Sequence, residues 1–233
     1  VFMLDAAPCA SGTMPVILRN GAMADLLQTF SSVFSADAAQ KGLSLLAGKE
    51  HSQIAAPCVT LVDDPLLPGG FASRPFDGEG VATYTKKVIE NGVLTTLLHN
   101  LKTANKAGCA STGNASRASY AASVGVSPTN FFLQPGQADL DALHAHLQNG
   151  LVVTEVSGLH AGADAVSGDF SLLSSGYLVE NGRKGRPVEQ ITVAGNFFQL
   201  LRDIEEVGCD LRFPMGSVGS PSVRVRSLSV AGT

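Results

Sequence analysis

The sequence contains no tryptophan, only three tyrosines, and four cysteines spread over 233 residues. Cys9, Cys58, Cys109 and Cys209 include no Cys-x-x-Cys pair, which argues against a structural zinc knuckle; four free thiols suit a reducing compartment. No apolar run reaches the ~18 residues of a membrane-spanning helix. Charge is scarce as well. Asp, Glu, Lys and Arg make up 15% of residues against 45% hydrophobic, so core material is ample and the surface thinly charged, as suits a chain partly covered by a partner. A net charge of −4 and the lack of a basic stripe argue against direct nucleic-acid contact. The densest basic cluster, Arg183-Lys184-Gly185-Arg186, reads as a solvated hairpin tip. Asn114-Ala115-Ser116 fits a glycosylation acceptor, but no signal peptide accompanies it. The expectation is a soluble, cytoplasmic chain without membrane contact. Its first residues, Val1–Met14, carry no targeting pattern, and the expectation is a piece of a longer polypeptide.

Familiar catalytic signatures are missing too. There is no Gly-x-Ser-x-Gly elbow and no His-Glu-x-x-His helix. His144 and His146 stand two apart on a predicted helix, about 200° apart around its axis, so they cannot share a metal. Gly78-x-Gly80 lacks the third glycine and the following helix of a dinucleotide loop.

What is present is a mixture of strands and helices. Pro15–Leu18 reads as a buried strand, followed by a helix over Ala22–Phe34 and a second over Ala36–Leu46 with Ser35 as N-cap. Val59–Val62 is a β-branched run. Val81–Ile89 and Val93–His99 flank Asn91-Gly92, and Tyr177–Glu180 and Pro187–Val193 flank Asn181-Gly182; both are hairpin signals, because Asn and Gly tolerate positive φ. Leu140–Gln148 is a helix introduced by Asp139. Leu151–Glu155, Gly168–Leu173, Ser222–Val225 and Leu228–Val230 read as strands, and Asn196–Val207 as an amphipathic helix ending at Gly208. Strict βα alternation is lacking. The predicted class is α+β: strand-rich, mixed and antiparallel sheets with β-hairpins and a few interspersed helices.

Two glycine-containing loops carry candidate binding residues. In Arg74–Gly80, Asp77 and Glu79 either accept hydrogen bonds from a peptide backbone, act as part of an acid/base pair, or cap a structural turn; turns of this kind favour the cap. Ser111–Arg117 offers Asn114 and Arg117, the latter able to pair with Asp77, Glu79 or a ligand.

Five ordered segments, Asp63–Gly80, Val88–Gly108, Ser111–Arg117, Ser167–Gly182 and Val207–Phe213, together resemble the carboxy-terminal half of the TldD/PmbA family. That family is named for modulation of DNA gyrase and associated with zinc-dependent proteolysis of small peptides. The resemblance implies a single carboxy-terminal domain over residues 1–233, without the family's amino-terminal domain. In the catalytic branch the helix after the Pro-Val-Ile/Val-Leu strand carries His-Glu-x-x-x-His, and a cysteine in a glycine-rich loop near the carboxy terminus is the third ligand. Carried onto this sequence, the three helix positions hold Gln28, Thr29 and Val33, and the loop is shortened to Phe213–Gly219, with Cys209 upstream of it. No metal or cofactor is therefore expected in this chain. The resemblance is to the PmbA branch, also called TldE, and implies a TldD-like partner subunit that bears the zinc, or a homodimer, together with a peptide substrate. Two other expectations stand beside this one. The chain is a regulatory protein-binding module without a proteolytic role, or a metal-free hydrolase using Asp77 and Glu79, for which no accompanying nucleophile is evident.

Overall fold

The computed structural model describes residues 2–214 and 216–233. In chain order its strands and helices are β1 (Gly12–Leu18), α1 (Asn20–Phe30), α2 (Ala36–Gln40), β2 (Leu61–Asp63), β3 (Lys86–Glu90), β4 (Val93–Leu94), α3 (Leu101–Ala107), β5 (Ala115–Ser116), β6 (Gly125–Val126) and β7 (Phe131–Leu133). The second half adds α4 (Leu140–Leu147), β8 (Gly150–Ser157), α5 (Leu159–Gly162), β9 (Asp169–Glu180), β10 (Arg183–Asn196), α6 (Phe197–Asp203), β11 (Ile204–Val207), β12 (Val218–Gly219) and β13 (Val223–Ala231). The predicted α+β class is the one observed.

The first sheet closes on itself. β1 pairs in parallel with β8, Val16 opposite Leu151, and antiparallel with β13, Leu18 opposite Val223. β8, β9, β10 and β13 follow one another antiparallel, completing the ring, and β11 is appended to β13. Successive side chains on a strand point to opposite faces, and here both faces are covered. Val16, Leu18, Leu151 and Val153 enter the main core, while Ile17, Val152, Tyr177 and Val179 face Leu143 and Leu147 of α4. Burial on both faces explains why "PVIL" and "LVV" are unbroken apolar runs rather than alternating ones. On the core side Phe30 of α1 stacks on Phe197 of α6, with centroids 4.5 Å apart, and meets Phe170 of β9 edge-on at 6.4 Å.

The second sheet runs β12-β7-β2-β3-β4. Its Phe131 meets Phe34 edge-on at 5.5 Å, so one apolar core spans both sheets. Both Asn-Gly hairpins are present. Glu90 pairs with Val93 and Glu180 with Arg183, and Asn91, Gly92, Asn181 and Gly182 all have positive φ.

Several boundaries differ from the sequence expectation. α2 ends at Gln40 instead of running to Leu46, because Gly42 turns the chain at φ 73° and Leu43 and Leu45 face solvent. The Ser35 cap is real, its Oγ accepting from the Asp37 amide at 3.2 Å. Of Val81–Ile89 and Val93–His99 only Lys86–Glu90 and Val93–Leu94 form strands, and these pair with each other only at Ile89–Glu90 and Val93–Leu94. The expected helix Asn196–Val207 stops at Asp203. Ile204–Val207 instead pairs with Val223–Val225, where β-branched residues suit a ladder better than another helical turn. Apart from Gly168, the predicted strands Gly168–Leu173 and Tyr177–Glu180 belong to one strand, β9, and apart from Ser222 the last two predicted strands merge into β13. Arg183–Arg186 is not a free tip. The turn is Asn181-Gly182, and the basic residues lie on β10, where Arg186 donates to the carbonyls of Ala7 and Pro8 at 3.1 and 3.0 Å.

Candidate functional site

α1 leaves β1 with Met23, Leu26, Leu27 and Phe30 on its buried side, at the three- and four-residue spacing of one helix face. Gln28 lies on the exposed side. Thr29 is half-buried and its Oγ1 donates to the Asp25 carbonyl at 2.8 Å, a bond back to the preceding turn. At Ser31 the helix tightens into a 3-10 turn that carries Val33 into the core at 1% exposure. α1 also packs against β12, the strand in which the shortened carboxy-terminal loop segment ends. The two elements assigned to a metal pocket by the resemblance are thus neighbours. The donors are the wrong ones. An amide on the outer face, a hydroxyl already hydrogen-bonded and a buried isopropyl group do not fit a zinc ion, which takes thiolate, imidazole or carboxylate ligands.

Within the Phe213–Gly219 loop, Met215 lies outside the described residues. Phe213 meets Phe132 edge-on at 5.6 Å, and Gly219 pairs with Phe132 in the β12–β7 ladder. Among the described residues no three His, Cys, Asp or Glu side chains gather closely enough to hold a metal. His144 and His146 separate as their spacing requires. The first is buried with Nε2 2.9 Å from the Tyr177 hydroxyl, and the second is exposed with Nδ1 2.9 Å from Glu206.

The structure draws three of the four loop candidates together. Asp77 is buried. Its Oδ1 accepts from the amides of Glu79 and Val81 at 2.9 and 3.0 Å, and its Oδ2 from the amide of Ala115 at 3.0 Å. Glu79 Oε2 accepts from the Leu101 amide at 2.8 Å, the first N–H of α3. That N–H is one of those a helix leaves unsatisfied, and Asn100 and Thr103 satisfy others through a reciprocal capping pair. Asn114 is fully buried; it donates to Asp63 Oδ2 at 2.7 Å and to the Ser127 carbonyl at 3.1 Å and accepts from Thr112 Oγ1 at 2.7 Å. Arg117 is exposed, and among the described residues it forms no ion pair with Asp77 or Glu79.

The centre of this network was missed by sequence reasoning. Asp63, with no exposed surface, accepts from Lys86 Nζ at 2.9 Å, from Asn114, and from the Thr129 amide and hydroxyl at 2.6 and 2.7 Å. Four donors on two oxygens satisfy the carboxylate, the condition on which a buried charge is tolerable. The available signal was Lys86 itself, a lysine in phase with buried Val88 on the inward side of β3.

Compared with known proteins, residues 11–232 match the PmbA/TldA metallopeptidase C-terminal domain. The chain belongs to this PmbA/TldD family. A proposed modulator of a DNA gyrase from Thermotoga maritima has the same fold, with a TM-score of 0.93 at 45% identity over 99% of this chain and 52% of that one. TldE from Thermococcus kodakarensis gives 0.90 at 26% identity over 99% of this chain and 53% of its own. A metalloprotease of Methanothermobacter thermautotrophicus is 30% identical over 100% of this chain and 53% of its own length. This PmbA/TldD-family chain therefore spans about half the length of the relatives it matches. Among its described residues no helix is long and apolar enough to cross a membrane.

Proposed function

We propose that this chain is the non-catalytic subunit of a zinc metallopeptidase assembly acting on small or unfolded peptides, with the metal held by a TldD-like partner. The observation that carries this reading is the pairing of an intact family scaffold with Gln28, Thr29 and Val33, side chains that lack the basicity and donor atoms zinc requires. A single substitution of this kind is an accident of one site. Three together, with Val33 packed in the core, support the reading of a subunit without a metal of its own. Its remaining task is to wall a cavity and orient an extended peptide, for which strand-rich surfaces suit, because a peptide backbone can add to an exposed sheet edge.

The test mixes the protein with a zinc-bearing TldD-like subunit and a fluorogenic peptide. The mixture is expected to cleave faster than the zinc subunit alone, with zinc in the partner only. Full-rate cleavage by the zinc subunit alone, or stoichiometric zinc in this chain, sinks the reading. The name of the Thermotoga relative favours a second reading, a regulatory module that contacts another protein without proteolysis. Binding to a target without any effect on a zinc subunit distinguishes it.

A further inference from the structure

A cleft of about 770 Å³ opens on the outer wall of the ring, between α4, the β9–β10 turn and the junction of β1 with α1. Neither Gln28, Thr29 and Val33 nor the Asp63 network lines it, and its walls are basic. Arg19, Arg183, Lys184 and Arg212 all line it, on a chain whose net charge is −4. Two carboxylates lie nearby. Asp210 is committed, accepting from the Ser222 amide and hydroxyl at 2.7 and 2.8 Å and pairing with Arg19 at 3.8 Å. Asp141 also lines the cleft, its side chain fully exposed and 4.0 Å from His144 Nδ1, so the four cations of the lining outnumber its carboxylate. Arg183 and Arg212 have no ion-pair partner among the described residues. The floor is His144 and Tyr177, both buried and hydrogen-bonded to each other at 2.9 Å. Lys184 stands over the Tyr177 ring, its Nζ 4.6 Å from the centroid.

We infer that this cleft is a binding site for a carboxylate-rich peptide segment. The inference rests on the peptide-handling reading above for the kind of ligand, and adds its charge. Cations set around a concavity, with Arg183 and Arg212 outside any ion pair among the described residues, concentrate the positive potential there and draw in anions. Planar guanidinium groups grip a carboxylate with two parallel hydrogen bonds. The volume sits within the range of about 300–1,000 Å³ that seats an organic ligand, more room than one small ion fills. Several carboxylates spaced along an extended backbone use cations on three different elements at once, β1–α1, β10 and the loop before β12. A nucleic acid would meet the same cleft but also the net negative remainder of the molecule, which disfavours the longer polyanion.

The test is fluorescence anisotropy of this chain with a short labelled Glu-rich peptide and with the same peptide carrying Gln for Glu. The Glu peptide is expected to bind at least about tenfold more tightly, and more weakly as salt is raised. The double variant Arg183→Ala, Arg212→Ala changes only exposed side chains, and its thermal unfolding is expected to match the parent. It should lose about tenfold or more in affinity for the Glu peptide and little for the Gln peptide. Equal binding of the two peptides, an unchanged double variant, or a single-stranded oligonucleotide that binds more tightly through the same two arginines overturns the inference. Failure here alongside normal stimulation of a zinc subunit on a neutral peptide rejects the acidic cleft and leaves the subunit reading standing. Loss of that stimulation with acidic-peptide binding intact does the reverse.

Discussion

Asp63 decides much at the scale of single residues. It is held inside the protein by one ammonium, one amide side chain, one hydroxyl and one backbone N–H, and it joins β2 to β3, to the Ser111–Arg117 loop and to the approach to β7. Removing one partner of a buried ion pair leaves the other charge stranded, at a cost of about 3–5 kcal/mol. Asp63→Ala is therefore expected to lower the unfolding free energy by about that much, measured by urea denaturation. A loss below about 1 kcal/mol, the worth of an exposed pair, shows that Lys86 finds water instead. Asp77 presents the same logic with backbone donors. Asp77→Ala frees three amides and is expected to destabilise the loop by about 1–3 kcal/mol, whereas Glu79→Gln keeps an acceptor for the Leu101 amide and costs less. Both are read by the same denaturation curves. A large loss of peptide binding at unchanged stability in Glu79→Gln would instead give that carboxylate a direct role.

Among the elements, the closing ring depends on close approach between β8 and β9. A Cβ added at Gly176 lies 1.8 Å from the Val152 carbonyl oxygen, inside the ladder that pairs those strands. No flexible side chain can yield there, so Gly176→Ala forces the backbones apart. It is expected to cost several kcal/mol, on the order of the largest overpacking penalties, and to show as insoluble expression or a sharply lowered melting temperature. The β3–β4 hairpin is a second such place. Gly92 has φ 83°, and a Cβ there meets the Ala55 carbonyl at 2.4 Å, so Gly92→Ala combines backbone strain with a clash. Helix ends are more tolerant. Asp139 accepts from the Ala142 amide at 2.8 Å, and Asp139→Ala is expected to cost about 1 kcal/mol, detected as a small shift in the thermal midpoint.

For the molecule as a whole, pH acts through two buried imidazoles. Burial is the first cause holding both His99 and His144 below the usual 6.5; Arg19 and Lys184 lower His144 further, opposed by Asp141, and Glu50 opposes burial at His99. The unfolded chain thus takes up protons on these residues before the folded one does. Stability is complete above about pH 6.5 and declines as pH falls from there toward the lowered native values. Chemical denaturation between about pH 7.5 and about pH 5 should show this slope, and His144→Gln should make it shallower. A flat profile in the parent means that the imidazoles stay solvated.

Much of the architecture was legible because its signals are local. Asn-Gly turns at 91–92 and 181–182, the Ser35 and Asp139 caps and the strands at Pro15–Leu18 and Leu151–Glu155, buried over Val16–Leu18 and Leu151–Val153, each follow from backbone preference or side-chain period within a few residues. The chemistry of Gln28, Thr29 and Val33 was equally plain, since no folding can give an isopropyl group a lone pair. What pairing decides was not legible. Ile204–Val207 has a helical apolar pattern of its own and becomes a strand only because β13 presents a ladder to it. Asp63 and Lys86 are 23 residues apart, and Arg19, Lys184 and Arg212 are further apart still. Their meeting depends on which strands the ring brings side by side, a long-range choice settled by the shared burial of both sheet faces rather than by any short stretch of chain.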